Sequence, residues 1–206
     1  FGGVDIVVHN AGISMWARFD EVEDLGVFER IMRVNYLGPV YLTHHALPHL
    51  KRSRGLLVAI SSLTGKTGVP TRSGYAASKH AALGLTHSVR HELAESGVRL
   101  SAVLPTAVRT RLSAGIPLGG LCTQEPEDVA RAVLAVQRSG AAERTVPRYL
   151  AGAGLALGLL PERLDRPLRR WLAADRAVRP AAPELRRAYE AGVQEQGQRA
   201  RSESLS

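Results

Sequence analysis

Tyr75 and Lys79 stand four residues apart in Tyr-Ala-Ala-Ser-Lys. On a helix that spacing puts both side chains on one face, about one turn apart. An ammonium beside a phenol favours the phenolate, lowering a tyrosine pKa from about 10 toward the range of a general acid or base. Alone, the pair reads equally well as a solvated lysine beside a half-buried tyrosine. Ser62 precedes Tyr75 at the end of an apolar run, at the strand edge where open α/β sheets place ligands. Its hydroxyl can hold a substrate oxygen while Tyr75 moves a proton, or else cap a turn. Asn10-Ala11-Gly12 ends an earlier apolar run and offers a small-residue turn that a flat ligand can approach. Asn35, in Met-Arg-Val-Asn-Tyr-Leu-Gly, sits inside a helical pattern where Asn is a poor former, either for function or as a satisfied buried amide.

The elements that must position these groups alternate. Val4–Val8, Gly55–Ser61 and Val98–Leu104 read as strands buried on both faces. About 25–50, 73–96 and 126–139 read as helices, the second closed by Gly97 at C′ and the third opened by Pro126-Glu-Asp. Strand and helix in turn predict an α/β fold, a doubly wound parallel sheet of Rossmann type over residues 1–160. From 161 to 206 the chain turns charged. The spacing Leu164, Leu168, Trp171, Leu172 predicts one short amphipathic helix before a polar, frayed tail without catalytic chemistry.

The 206 residues suffice for one domain of ordinary size. With 45% hydrophobic and 22% charged residues the chain is core-forming and its bulk is not disordered. Cys122 is the single cysteine, so an internal disulfide is excluded, no Cys/His cluster has metal-ligand spacing, and a reducing, cytoplasmic setting is expected. The net charge of +8 is spread along the chain without aromatic interleaving, which argues against nucleic acid as a partner. The apolar run 149–161 is too short to span a bilayer. With Arg163, Arg166, Arg169 and Arg170 beside Trp171 it leaves two readings, peripheral membrane contact or a solvated helix.

His9-Asn-Ala-Gly12, Val34-Asn35, Ile60-Ser-Ser62, Tyr75-x-x-x-Lys79 and Pro105-Thr-x-Val-x-Thr110, in that order, resemble the short-chain dehydrogenase/reductases of the classical type. The stretches 61–70 and 75–84 look most similar to the 11-beta-hydroxysteroid dehydrogenase-like branch. The resemblance covers roughly residues 1–150. It implies an oxidoreductase moving a hydride between a nicotinamide cofactor, NADP or NAD with NADP preferred, and an alcohol or carbonyl. Tyr75 would be the proton donor or acceptor, Lys79 its pKa-lowering neighbour and a ribose ligand, and Ser62 the clamp on the substrate oxygen. Asn35 would hold a water of the proton relay. Asn10, Ala11 and Gly12 would line the adenosine-side ribose, and Val108 and Thr110 would approach the carboxamide. A homodimer or homotetramer built on the two long helices is also implied.

Three departures stand out. His9 replaces a frequent Asn, and Thr106 replaces a frequent Gly. The family's first βαβ unit, with its glycine-rich turn on the cofactor pyrophosphate, has no counterpart, and the chain opens on Phe1 directly before a strand. A piece of a longer enzyme, with a bare strand edge prone to aggregation, is therefore the expectation. The loop 112–121 (LSAGIPLGGL) is aliphatic or small without fixed charge, which fits an apolar substrate or plain packing. Two other function classes compete: a non-catalytic member that keeps these residues but holds no cofactor, and a hydrolase with Ser62 as nucleophile and Lys79 as base. The second lacks the Gly-x-Ser-x-Gly elbow.

Overall fold

Four strands lie side by side in the order β1 (Ile6–His9), β2 (Leu56–Ile60), β3 (Arg99–Pro105) and β6 (Glu143–Val146). Every pair is parallel, with Val8 opposite Val58, Ala59 opposite Ala102 and Val103 opposite Arg144. The short strands β4 (Ala107–Val108) and β5 (Thr123–Gln124) form a separate parallel pair. The structure, a computed structural model, describes residues 2–116, 123–152, 161, 163–164 and 182–203, with side chains in the last helix as far as Glu195. The doubly wound expectation holds because apolar residues alternate across the sheet. Val7, Leu57 and Leu100 face Ala46, Leu50 and Leu93 on one side. Leu56, Val58 and Val103 face Ala132 and Val136 on the other. Leu50 and Val136 are wholly buried, and truncating a leucine so placed to alanine costs about 2–5 kcal/mol.

The predicted helix over 25–50 is instead three segments. Helix α1 (Gly26–Met32) passes through a π turn, Arg33–Leu37, into α2 (Gly38–Ser53). Widened turns of this kind recur at functional sites, and this one carries Asn35. Helix α3 (Ser73–Glu92) stops short of its predicted end. Its last turn tightens at Leu93, and the Ser96 hydroxyl bridges the Leu93 carbonyl and the Val98 amide. Gly97, at φ +79°, therefore serves the turn into β3 and is not the C′ residue of the helix. Helix α4 (Pro126–Ser139) keeps its predicted limits, closed by Gly140 in the left-handed conformation. Strand β6 was not evident as a strand because its Glu-Arg-Thr sequence lacks the apolar signature of β1 to β3.

The frayed tail is the largest correction. Helix α5 (Pro183–Glu203) replaces it over 21 residues. Arg186, almost wholly buried, donates from its two Nη atoms to the carbonyls of Leu112 and Ser14 at 3.1 and 3.0 Å, and from Nε to Glu190 at 2.8 Å. Tyr189 Oη accepts from the Ser14 amide, and Glu190 accepts from the Trp16 amide. Ordering by polar hooks leaves no apolar periodicity to read. Gly115, at φ +74°, lies where a Cβ would sit 2.5 Å from the Ala182 carbonyl oxygen, so glycine lets α5 meet the 112–116 segment. Cys122, residues 117–121 of the expected substrate loop, Arg166, Leu168, Arg169, Arg170, Trp171 and Leu172 lie outside the described residues. So does most of the apolar run 149–161. Among the described residues no helix is long and apolar enough to cross a membrane, and no acid, His or Cys cluster suits a metal.

Candidate active site

The carboxyl ends of β1, β2 and β3 open into one cavity of about 790 Å³. Asn10, Ala11 and Gly12 follow β1; Ser62 follows β2; Val108 and Thr110 follow β3; Tyr75 and Lys79 come from α3, and all of them line it. Asn35 is buried just behind this wall. Its Nδ2 donates to the Ile13 carbonyl and to Ser78 Oγ, and its Oδ1 accepts from the Ile13 amide, each at 2.9 Å. Ser78 Oγ in turn donates to the Tyr75 carbonyl at 2.8 Å. Both amide donors of Asn35 are thus spent on protein, and one lone pair of Oδ1 is left for any relay water.

Tyr75 and Ser62 face the same cavity, close enough for Ser62 to favour the phenolate. Ser62 Oγ also accepts from the Thr64 amide and donates to the Pro105 carbonyl. Burial holds the Tyr75 pKa above the usual phenol value, against the lowering effects of Ser62 and the positive charge of Arg72; Tyr189 adds to the rise. This corrects the expectation that Lys79 pulls that pKa down. Lys79 Nζ lies 5.7 Å from the Tyr75 ring centre and donates to the Ile60 carbonyl at 2.9 Å, so the ammonium faces the strand end more than the phenol. Its own pKa falls to about 8 through desolvation.

Arg72, Arg186 and Tyr189 escaped the sequence reading. Arg72, three residues before Tyr75, enters the cavity and stacks its guanidinium over the Trp16 ring at 4.3 Å. Arg72 stands just before the first residue of α3 with non-helical dihedrals, so helical spacing gives no signal for it. Arg186 and Tyr189 of α5 hold the wall at Ser14 and Leu112, with no sequence signal beyond their charge and ring. His9, the last residue of β1, is buried 3.5 Å from Thr43 Oγ1, and burial lowers its pKa to about 4. Thr106, in place of a glycine, is tied to the Val146 carbonyl through both its amide and its hydroxyl.

The Gly12 backbone passes so close that a Cβ would lie 3.4 Å from Asn35 Oδ1 and 3.7 Å from Lys79 Nζ. Lys79 thus packs directly against the Gly12 turn, and both line the same cavity. An ammonium there is a donor that fits the hydroxyls of a dinucleotide ribose lying in the cavity beside it. No glycine-rich turn between strand and helix for a pyrophosphate occurs among the described residues.

Comparison with known proteins agrees with this geometry. Residues 1–118 match the family described as short chain dehydrogenase. The chain is 44% identical over 115 residues to the rat dehydrogenase/reductase SDR family member 7B, covering 55% of this chain and 35% of that protein. It is 42% identical over 93 residues to the Arabidopsis thaliana 11-beta-hydroxysteroid dehydrogenase-like 4A, covering 45% and 31%. It thus spans about a third of the length of these curated relatives. Among solved structures, a short chain dehydrogenase of Burkholderia cenocepacia in complex with NADP superposes with a TM-score of 0.67 at 28% identity, over 77% of this chain and 70% of that one. An alcohol dehydrogenase of Thermococcus sibiricus complexed with 5-hydroxy-NADP superposes with a TM-score of 0.62 at 29% identity, over 70% and 63%. The parallel sheet, the cavity at its carboxyl edge and the family match over more than half its residues together make this chain a member of the short chain dehydrogenase family.

Proposed function

We propose that the protein to which this chain belongs is an oxidoreductase interconverting a carbonyl and an alcohol with NADP, or less favourably NAD, as cofactor. The observation that carries the reading is the placement of Ser62, Tyr75 and Lys79 together on the wall of one cavity, with the Lys79 ammonium against the Gly12 turn. The NADP and 5-hydroxy-NADP complexes of two structural relatives support the nicotinamide cofactor. When bound, that cofactor supplies or accepts the hydride.

The chain's residues do the rest. Ser62 Oγ turns its single O–H from the Pro105 carbonyl, a long bond of 3.4 Å, to the substrate oxygen. Tyr75, with its pKa raised, holds its proton at neutral pH and delivers it from Oη to the same oxygen as charge develops there. This favours carbonyl reduction near neutrality and alcohol oxidation only at higher pH. Lys79 would hold ribose hydroxyls of the cofactor, and its positive charge would favour the phenolate left behind. Asn10, Ala11 and Gly12 would hold the adenosine-side ribose, and Val108 and Thr110 would hold the carboxamide. Asn35 acts as a positioning residue through Ile13 and Ser78. Leu112, Ile116, Val129, Val133 and Leu134 give the remaining wall an apolar character suited to an apolar substrate body.

The test is consumption of NADPH and of NADH with octan-2-one, using wild type and Tyr75→Phe. Turnover with NADPH that disappears in the variant, while cofactor binding survives, supports the reading. Unimpaired turnover in Tyr75→Phe overturns it, and cofactor binding without any carbonyl reduction favours the non-catalytic alternative.

A further inference from the structure

The charges on the cavity wall are one-sided. Among the described lining residues Arg72, Lys79 and Arg111 are cationic and none is acidic. Lys79 lies one turn after Tyr75 on α3, whereas Arg72 precedes Tyr75 by three residues at the non-helical start of that helix. Lys79 faces the Gly12 turn; Arg72 lies instead toward Trp16. Arg111 is exposed, and water solvates it.

Arg72 differs in kind. Its guanidinium makes no hydrogen bond or ion pair among the described residues, and its Nε is buried without any partner. Its one polar-face contact is the stack on Trp16, which fixes the plane of the fork. Glu190, the acid that holds the Trp16 amide, is engaged by Arg186 Nε. Burial lowers the Arg72 pKa to about 10, and Arg186 adds repulsion. An unpaired, partly desolvated cation is costly, and an anion brought by a ligand offsets that cost. The planar fork matches a carboxylate.

We propose that Arg72 is a specificity-determining residue that binds the carboxylate of an otherwise aliphatic substrate, so that the site takes oxo- or hydroxy-acids in preference to neutral ketones and alcohols. The assignment rests on the oxidoreductase reading for the word substrate, while the anion site itself does not depend on turnover. The apolar wall of Leu112, Ile116 and Val133 takes the chain, and Arg72 takes the head group.

Calorimetry on the full chain without cofactor, using octanoate, octan-1-ol and octylamine as probes, tests this. Octanoate is expected to bind about tenfold or more tightly than octan-1-ol, and octylamine not at all. Arg72→Met is expected to erase the preference for octanoate while leaving octan-1-ol affinity within about twofold, and Arg72→Lys to restore part of it. Equal affinity of wild type for octanoate and octan-1-ol overturns the proposal, even if Arg72→Met does not fold. Retention of octanoate binding in Arg72→Met, or its equal loss in Arg111→Met, overturns it as well by moving selectivity elsewhere. Because no hydride transfer enters the measurement, an inert protein that still binds octanoate through Arg72 contradicts only the oxidoreductase reading.

Discussion

The carboxamide of Asn35 grips Ile13 by both its amide and its carbonyl, at 2.9 Å each, from a π turn across the wall of the cavity. This double bond fixes where the chain goes after Gly12. Replacing Asn35 by Ala leaves the part-buried amide and carbonyl of Ile13 without their partner and removes the donor to Ser78 Oγ, a loss of about 1–3 kcal/mol for unsatisfied groups of this kind. Urea unfolding is expected to show that loss. Asn35→Asp, which cannot donate, is expected to lose as much or more.

Tyr75→Phe removes one oxygen and leaves the Ser62, Lys79 and Gly12 geometry in place. Under the proposed mechanism steady-state kinetics then show a fall in kcat of roughly 10²–10⁴, the usual weight of general acid catalysis, with cofactor affinity unchanged. A fall in cofactor affinity alone would place Tyr75 in binding and not in proton transfer.

His9 makes the fold acid-sensitive. Its folded pKa of about 4 lies below the ordinary 6.5, so between those values the unfolded chain binds a proton that the folded chain refuses. Stability is therefore complete above about pH 6.5 and is lost as pH falls toward 4. His9→Asn, which does not titrate, is expected to flatten this stretch of the curve of stability against pH.

Lys79 acts in the alkaline range by the same logic. Its folded pKa near 8 lies below the free value of 10.5, so folding excludes a proton between them and stability rises as pH climbs from about 8 toward 10. The effect is at most roughly 3 kcal/mol by linkage. Lys79→Met is expected to be the more stable protein at pH 7 and to lose this slope, as read by thermal unfolding at a series of pH values.

How much of this was legible depended on which physics wrote each element. Strands β1 to β3 are apolar on both faces, and their residues announce that. Helix α4 carries Pro126 and Gly140 at its two ends, and both ends were readable. The grouping of Ser62, Tyr75 and Lys79 in one cavity followed from motif order. By contrast β6 is an outer strand of Glu, Arg and Thr, and a π turn has no residue code of its own. The direction of the Tyr75 pKa escaped because it depends on depth below the surface, which spacing does not encode. Arg72 escaped because it stands just before the first residue of α3, where helical spacing gives no signal.

Helix α5 is fastened to the site by Arg186, and that fastening decides the last prediction. The guanidinium ties two segments that are distant in sequence, the Ser14 carbonyl beyond the Gly12 turn and the Leu112 carbonyl beside Thr110. Removing it leaves two carbonyls without their donor and Glu190 without its cation. Breaking a buried pair from one side costs about 3–5 kcal/mol when both charges are buried; Glu190 is 38% exposed, so a smaller loss is expected here. Arg186→Met is therefore expected to release α5 locally before the sheet unfolds. Hydrogen exchange should speed up at the Ser14 and Trp16 amides, which lose Tyr189 and Glu190 as acceptors, while the amides of β2 and β3 exchange as before. Gly115→Ala acts on the same joint from the other side, since its Cβ would meet the Ala182 backbone. The two variants should give the same exchange pattern, and acceleration spread evenly over the sheet in either one would show that α5 is part of the cooperative core instead of a separate clasp.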